Sequence, residues 1–259
     1  YICRDRFGLR PIFYRLYEGA LLFSSRASII NDITNTLDYN LNFIKRFAGY
    51  HYRYIDNEPE KSPYKDILQI PASNYIEIKF NISNGLINNN DINLFKYWNF
   101  ENNSQVNFDD SEEDLAEKYK DLIQDAVKMR LDVVHNPAFT LSGGMDSSTV
   151  LANAVITSGN KQVAFSTVYK DKTYDESEEI ESMLDKFVSK WHAIEIEKPN
   201  LEQDLDKMIE ANDEPIATAT WLSNFIMCRE INKLGYKNLF GGLGGDELNA
   251  GEYEYFFYF

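Results

Sequence analysis

Cysteine is nearly absent from this chain of 259 residues: Cys3 and Cys228 are the only two. They exclude a disulfide framework and a paired metal spacing, which suits a reducing cytoplasm, and both read as buried small hydrophobes. Histidine is as scarce. His51, His135 and His192 are scattered, with no second ligand at a metal-binding spacing, so structural roles are expected for them. Positive charge is short too: 26 Lys and Arg against 41 Asp and Glu leave a formal charge of −15. That argues against a general nucleic-acid or anionic-membrane surface, because phosphate backbones need a basic footprint. A small phosphate site made of backbone N–H groups stays open. No apolar run is long enough to span a membrane, and no signal-peptide pattern is present. The chain opens on YICRDRFG and closes on EYEYFFYF, both inside apolar text, so it reads as a piece of a longer protein.

What is present is ample for folding. The chain is 44% hydrophobic, with 17 Phe and 17 Tyr, enough for one large domain or two ordinary ones with packed cores. Residues 1–85 carry short β-type runs. IFYRLYEGALLFSS places two apolar runs around Glu18-Gly19, a hairpin signal, and SNYIEIKF alternates as a half-buried strand does. Residues 86–110 and the positions just before them are rich in Asn and Asp and read as a linker, with KYWNF an anchor inside it. From Ser111 the period changes. Ser111 and Asp114 form a capping pattern, and Leu115, Tyr119, Leu122, Ile123 and Ala126 share one helical face. Strands (AFTL, VAFSTVY, HAIEI, KNLF) then alternate with helical stretches over residues 111–259. One of these helices is expected to run to Trp191, capped by Asp175 and Glu178, with Ile180, Met183, Leu184 and Phe187 inward. The alternation predicts an α/β fold with a parallel sheet covered on both faces.

The most informative stretch is FTLSGGMDSSTV. A strand ends at Leu141, and Ser142, Gly143 and Gly144 then offer backbone with little side chain over it. A helix starts near Ser147 with its positive dipole end toward the loop. Ser142, Ser147 and Ser148 add hydroxyls. Asp146 would repel phosphate unless a cation intervened, which points to Mg²⁺ held by one or two carboxylates and phosphate oxygens. No Gly-Lys-Ser/Thr follows, so this is not the loop that serves γ-phosphate transfer. A plain strand-to-helix turn with an acidic cap explains the stretch taken alone. A second glycine loop, KNLFGGLGGDEL, also follows a strand and ends in acids, Asp246 and Glu247. Two such loops could hold one triphosphate and its metal from two sides. TYDESEE could place further acids near the site, or simply cap a helix.

At these residues the chain resembles the asparagine synthetase family. SGGMDSS is similar to the signature loop of the ATP-pyrophosphatase (PP-loop) enzymes. RDRFGLRPIFY, LLFSSRASII and ILQIPASNYIEI resemble the late part of that family's N-terminal-nucleophile glutaminase domain, with Ala72 and Ser73 where Pro and Gly are usual. TYDES, Asp213-Glu214-Pro215 and GGLGGDEL resemble later synthetase landmarks. The resemblance implies the end of a glutaminase-like domain followed by a parallel-sheet domain of the adenine nucleotide alpha hydrolase type. It implies ATP and Mg²⁺, adenylation of a carboxylate with loss of pyrophosphate, and amidation by glutamine-derived ammonia. By position, Ser142, Gly143, Gly144, Asp146 and Ser147 would hold pyrophosphate, and Leu141 and Thr167 would contact adenosine. Gly241 and Gly242 would lie near the nucleotide, Asp146 and Asp246 would bind the metal, and Asp5 would hold the amino group of glutamine.

The implied partners are small molecules (ATP, glutamine or ammonia, a carboxylate acceptor), with a homodimer left open and a cytoplasmic location. The family's glutaminase cysteine and C-terminal helices have no counterpart here. Leu243 stands where the family has an acid, so an acceptor less polar than free aspartate is expected. The alternatives are a PP-loop enzyme that modifies tRNA and a catalytically silent nucleotide-binding remnant.

Overall fold

The hairpin signal folds as its turn chemistry dictates. In the computed structural model β1 spans Ile2–Cys3, and β2 (Phe13–Tyr17) pairs antiparallel with β3 (Ala20–Ser24). The turn residues Glu18 and Gly19 have φ of 49° and 78°. Two residues in the left-handed region match the twist of paired strands. Residues 1–49, 58–79, 85–100, 110–171, 173, 176–196, 200–216, 218–249 and 251 are described. His51, Asp175, most of the Asn-rich stretch before Asp110, and EYEYFFYF lie outside them.

After the hairpin come α1 (Ala27–Thr34), α2 (Leu41–Gly49) and β4 (Leu68–Gln69), which pairs with the other edge of β2. Phe13, Ala27, Ile30 and Ile67 form the core there. A second antiparallel sheet sets β5 (Asn74–Ile78) between β1 and β6 (Ile92–Lys96), with Ile76 fully buried at its centre. β6 comes from text that read as connecting. Its Asn content gave no strand signal, and its pairing with β5 forms it. KYWNF does anchor: the Tyr97 hydroxyl donates to the Arg4 carbonyl at 2.8 Å, and the Trp98 ring meets Phe7 edge-on at 5.6 Å.

The remaining elements alternate. They are α3 (Glu112–Leu131), β7 (Pro137–Thr140), α4 (Met145–Ser158), β8 (Gln162–Val168), α5 (Ser177–Phe187) and β9 (Val188–Glu195). Then follow α6 (Leu201–Asn212), α7 (Ala219–Lys233), β10 (Asn238–Phe240) and the short α8 (Gly245–Asn249). The strands form one parallel sheet in the order β10-β7-β8-β9, the α/β architecture the alternation predicts. Phe139, Leu151, Ala164 and Ile180 pack on one face, and Ala138, Phe165, Met227 and Ile231 on the other. Successive residues of β7 thus serve opposite cores, as the period of a strand requires.

Two compact units result: Tyr1–Val106 with Leu201–Trp221, and Asn107–Asn200 with Leu222–Phe259. In the first, Phe43 and Phe47 of α2 pack with Trp221. Asp213, at φ 59°, accepts from Arg26 Nη2 at 2.6 Å and from the Ser28 N–H at 3.1 Å. This carboxylate therefore caps the start of α1 from a segment far along the chain. Burial pushes the Asp213 carboxyl up, but the hydrogen bonds from Arg26 and Ser28 outweigh it and hold it below the ordinary aspartate range.

Several local expectations change. Ser111 does cap α3, accepting from the Asp114 N–H at 3.2 Å. The inward stripe of that helix, however, is Ile123, Val127 and Leu131, while Leu122 is 69% exposed and Leu115 and Tyr119 also face outward. α5 starts after Glu176 rather than at a Glu178 cap, and it stops at Phe187. Val188 to Trp191 are strand, because pairing with β8 outcompetes one more helical turn. Trp191 reaches the same core from β9. Cys3 and Cys228 are exposed. His192 stacks flat on Phe165 at 4.6 Å, with its Nε2 buried and unpartnered, and burial together with the nearby Lys190 lowers its pKa. Its structural role is thus packing rather than hydrogen bonding.

Candidate active site

The strand order decides where a ligand would sit. From β7 the chain runs outward through β8 and β9, then returns to place β10 on the other side of β7. The order reverses at β7, with β8 on one side and β10 on the other, and in such sheets a crevice opens beyond the carboxyl ends of the strands at that point. Both glycine loops begin there, one after Thr140 and one after Phe240.

The first loop is held from below. The Leu141 N–H donates to the Phe165 carbonyl at 2.9 Å, and the Leu141 side chain is 2% exposed in the core. Ser166 Oγ donates to the Leu141 carbonyl at 2.5 Å and accepts from Trp191 Nε1 at 2.9 Å. Thr167 follows Ser166 at the same sheet edge. The loop then closes on itself. The Ser142 N–H donates to Ser147 Oγ at 3.1 Å, the two hydroxyls lie 2.9 Å apart, and the Gly144 N–H reaches Ser142 Oγ at 3.2 Å. Gly144 occupies the cap position of α4 and offers no side-chain cap. A glycine there leaves the first turn of a 14-residue helix without a shielding side chain. Ser147 is 6% exposed, and Ser148 Oγ is turned back onto the Gly144 carbonyl at 2.9 Å.

The second loop lies directly on the first. A Cβ at Gly242 would stand 2.6 Å from the Ser147 nitrogen and 2.7 Å from Asp146 Cβ. One at Gly241 would stand 2.8 Å from Thr140 Oγ1, and one at Gly245 would overlap the Asp146 carboxylate. At Gly242 the close atoms include backbone and glycine is required; at Gly241 and Gly245 they are side-chain ends, and Asp246 follows the contact by one residue. A Cβ at Gly251 would in turn overlap Asp246 Oδ1. The structure thus brings together Ser142, Gly143, Gly144, Asp146, Ser147, Gly241 and Gly242, with Leu141 supporting them from the core. Leu243, at the tip, is 96% exposed.

Among the described residues no group of three or more His, Cys, Asp or Glu side chains could cage a metal ion. Asp146 and Asp246 belong to the two loops that meet through Gly242 and Gly245. That donor set fits Mg²⁺, which takes one or two carboxylates and completes its shell with phosphate oxygens and water.

Residues that motif reading missed are Glu176 and Glu179. The Gly143 N–H donates to Glu176 Oε2 at 2.8 Å, and a Cβ at Gly143 would stand 2.7 Å from Glu179 Cβ. TYDESEE did flag acids near the site; nothing in the sequence named the amide they meet.

Residues 118–258 match the family model described as asparagine synthase. The chain belongs to the asparagine synthase family. Asparagine synthetase (glutamine-hydrolyzing) 3 of Bacillus subtilis is 28% identical over 255 residues, covering 90% of this chain and 38% of its own length. A provisionally named asparagine synthetase (glutamine-hydrolyzing) 2 of Methanocaldococcus jannaschii is 25% identical over 252 residues, covering 96% of this chain and 46% of its own. The chain therefore spans less than half the length of these relatives. An NH3-dependent NAD synthetase from Campylobacter jejuni aligns over 49% of this chain and 63% of its own, with a TM-score of 0.31 and 16% identity.

Asp5, expected from the resemblance to hold the amino group of glutamine, lies in the first unit. Here Asp5 is exposed, and its carboxylate accepts from the N–H groups of Phe7, Leu9 and Arg10 at 3.2, 3.0 and 3.3 Å. Slight burial works against ionisation, but those three donors and the Arg4 charge hold the group below the ordinary aspartate range. Arg4 itself is 8% exposed and donates to the carbonyls of Arg10, Ile70 and Gly8 at 3.0, 2.6 and 2.8 Å. No helix among the described residues is long and apolar enough to cross a membrane.

Proposed function

We propose that the α/β unit binds ATP at the crevice between β7 and β10 and adenylates a carboxylate with release of pyrophosphate. In the complete protein, ammonia derived from glutamine would then displace AMP to give an amide. The observation that carries this reading is the contact of Gly242 and Gly245 with Asp146 and Ser147. Two strand-end loops meet with only backbone between them, at a topological switch point, beside the start of a helix.

The roles follow from the chemistry. Breaking the α–β bridge of ATP places charge on the departing pyrophosphate, and donors fixed before the reaction stabilise it best. The loop from Ser142 to Gly144, the first turn of α4 and the Ser142 and Ser147 hydroxyls would supply them. Asp146 and Asp246 would hold Mg²⁺, whose charge offsets that of the leaving group. Leu141 and Thr167 would border the adenosine, with Gly241 and Gly242 leaving room for it. Asp5, ionised by its loop, suits the ammonium group of glutamine. Leu243 offers methyl groups where the resembling enzymes carry an acid, which favours an acceptor less polar than free aspartate.

The test is ATP-dependent pyrophosphate release by the full-length protein. Asp146→Asn should lower it by about a hundredfold or more, the usual scale for losing a charge-stabilising group, with an unchanged thermal melt. Near-normal turnover would refute the reading. Asparagine formed from aspartate at an ordinary rate would refute the acceptor assignment alone.

A further inference from the structure

The Gly143 amide points at an anion that the protein itself supplies. Its N–H meets Glu176 Oε2 at 2.8 Å, the length of a charge-assisted hydrogen bond. Glu179 follows one turn later in α5, and its stem lies against the space a Gly143 side chain would need. One carboxylate and the stem of a second acid therefore meet the same glycine from one helix start, and Asp146 lies in the first turn of the neighbouring helix. We propose that Glu176 is a specificity-determining residue of the pyrophosphate seat, one that admits a polyphosphate only as its divalent-cation complex.

The proposal rests on the loop being the pyrophosphate seat. A bare polyphosphate would have to displace the Glu176 carboxylate from the amide and enter beside Glu179 and Asp146, all of one sign. Like charges at such range oppose one another, so free pyrophosphate, inorganic phosphate and citrate-like anions are disfavoured. A polyphosphate wrapped around a divalent cation carries its own counter-charge. It can take the amide while Glu176 turns toward the cation or out to solvent, where this exposed side chain is readily hydrated. The glycine at position 143 also makes room for α5: a side chain there would meet the Glu179 stem at 2.7 Å.

The experiment is calorimetric binding of inorganic pyrophosphate to the whole chain, with excess Mg²⁺ or with EDTA. The proteins are the parent, Glu176→Gln and Glu179→Gln, with thermal melts to confirm matched folding. The parent should bind pyrophosphate only with Mg²⁺. Glu176→Gln should bind metal-free pyrophosphate at least about tenfold more tightly than the parent, as expected when a competing charged hydrogen bond is lost. Its affinity with Mg²⁺ should change less, so the ratio of the two affinities collapses. Glu179→Gln, which keeps its stem, should give a smaller change in the same direction. Unchanged or weaker metal-free binding by Glu176→Gln would overturn the proposal and leave Glu176 a helix-start residue. No binding by the parent even with Mg²⁺ would overturn the pyrophosphate reading of the loop, and this proposal with it.

Discussion

At Gly242 the missing side chain matters more than any side chain nearby. Its backbone is not in the left-handed region, so conformational freedom does not explain the glycine. Contact does: a Cβ would meet the backbone nitrogen of Ser147 and the backbone carbon and Cβ of Asp146 at 2.6 to 2.8 Å. None of these is the free end of a flexible side chain, so the loops themselves would have to part. Gly242→Ala should therefore destabilise by about 1–3 kcal/mol, the range for overpacking. It should also abolish pyrophosphate release, because the displaced groups belong to the candidate site. A thermal melt and the release assay on one preparation check both halves. Gly241→Ser is milder, since its neighbour, the Thr140 hydroxyl, can rotate. The glycine pairs were legible in the sequence because steric exclusion is a local property that only glycine meets. The seat that Glu176 takes was not, because an acid before a helix has an adequate local explanation.

Among the elements, legibility follows the range of the forces that form them. The β2–β3 hairpin was readable from Glu18-Gly19, whose turn geometry is set within four residues. The α5–β9 boundary was not. Met183, Leu184, Phe187 and Trp191 keep helical spacing into residues that pair with β8, and Trp191 faces the same core from either conformation. Periodicity cannot separate two states that bury the same ring. α3 shows both outcomes: its start is fixed by a local cap, its inward stripe by distant partners. Ser111 Oγ accepts from the Asp114 N–H at 3.2 Å and donates to its carboxylate at 2.8 Å. Glu112, Glu113 and Asp114 lie at the positive end of the helix, and Lys128 and Arg130 at the negative end. Ser111→Ala should lower stability by about 1 kcal/mol, and Ser111→Asp should restore most of it. Urea midpoints of the three proteins measure this.

Over the whole molecule, the least legible feature was that Leu201–Trp221 groups with the first unit, although the residues on both sides of it belong to the second. The decisive contact joins Arg26 to Asp213, residues 187 apart in sequence, and no local pattern announces it. Its pH dependence has a definite sign. The folded Asp213 carboxyl lies below its unfolded value of about 3.9, so the contact stabilises fully above that value and is lost as pH falls through the lower, folded one. Arg26→Met should lower the melting temperature at pH 7, by the equivalent of about 1–3 kcal/mol for an acceptor left nearly buried. The gap between variant and parent should narrow as pH is taken below the ordinary aspartate value and the carboxyls take up protons. A gap that widened in acid would contradict this linkage. The same grouping bears on synthesis. A ribosome that has released Val106 has not yet released the strip from Leu201 to Trp221 that completes the first unit. At ordinary elongation rates that unit waits on the order of ten seconds. During that interval Phe43 and Phe47, buried in the finished protein, lack Trp221 as a partner. The nascent chain would then be a client for holding chaperones until its later segment arrives.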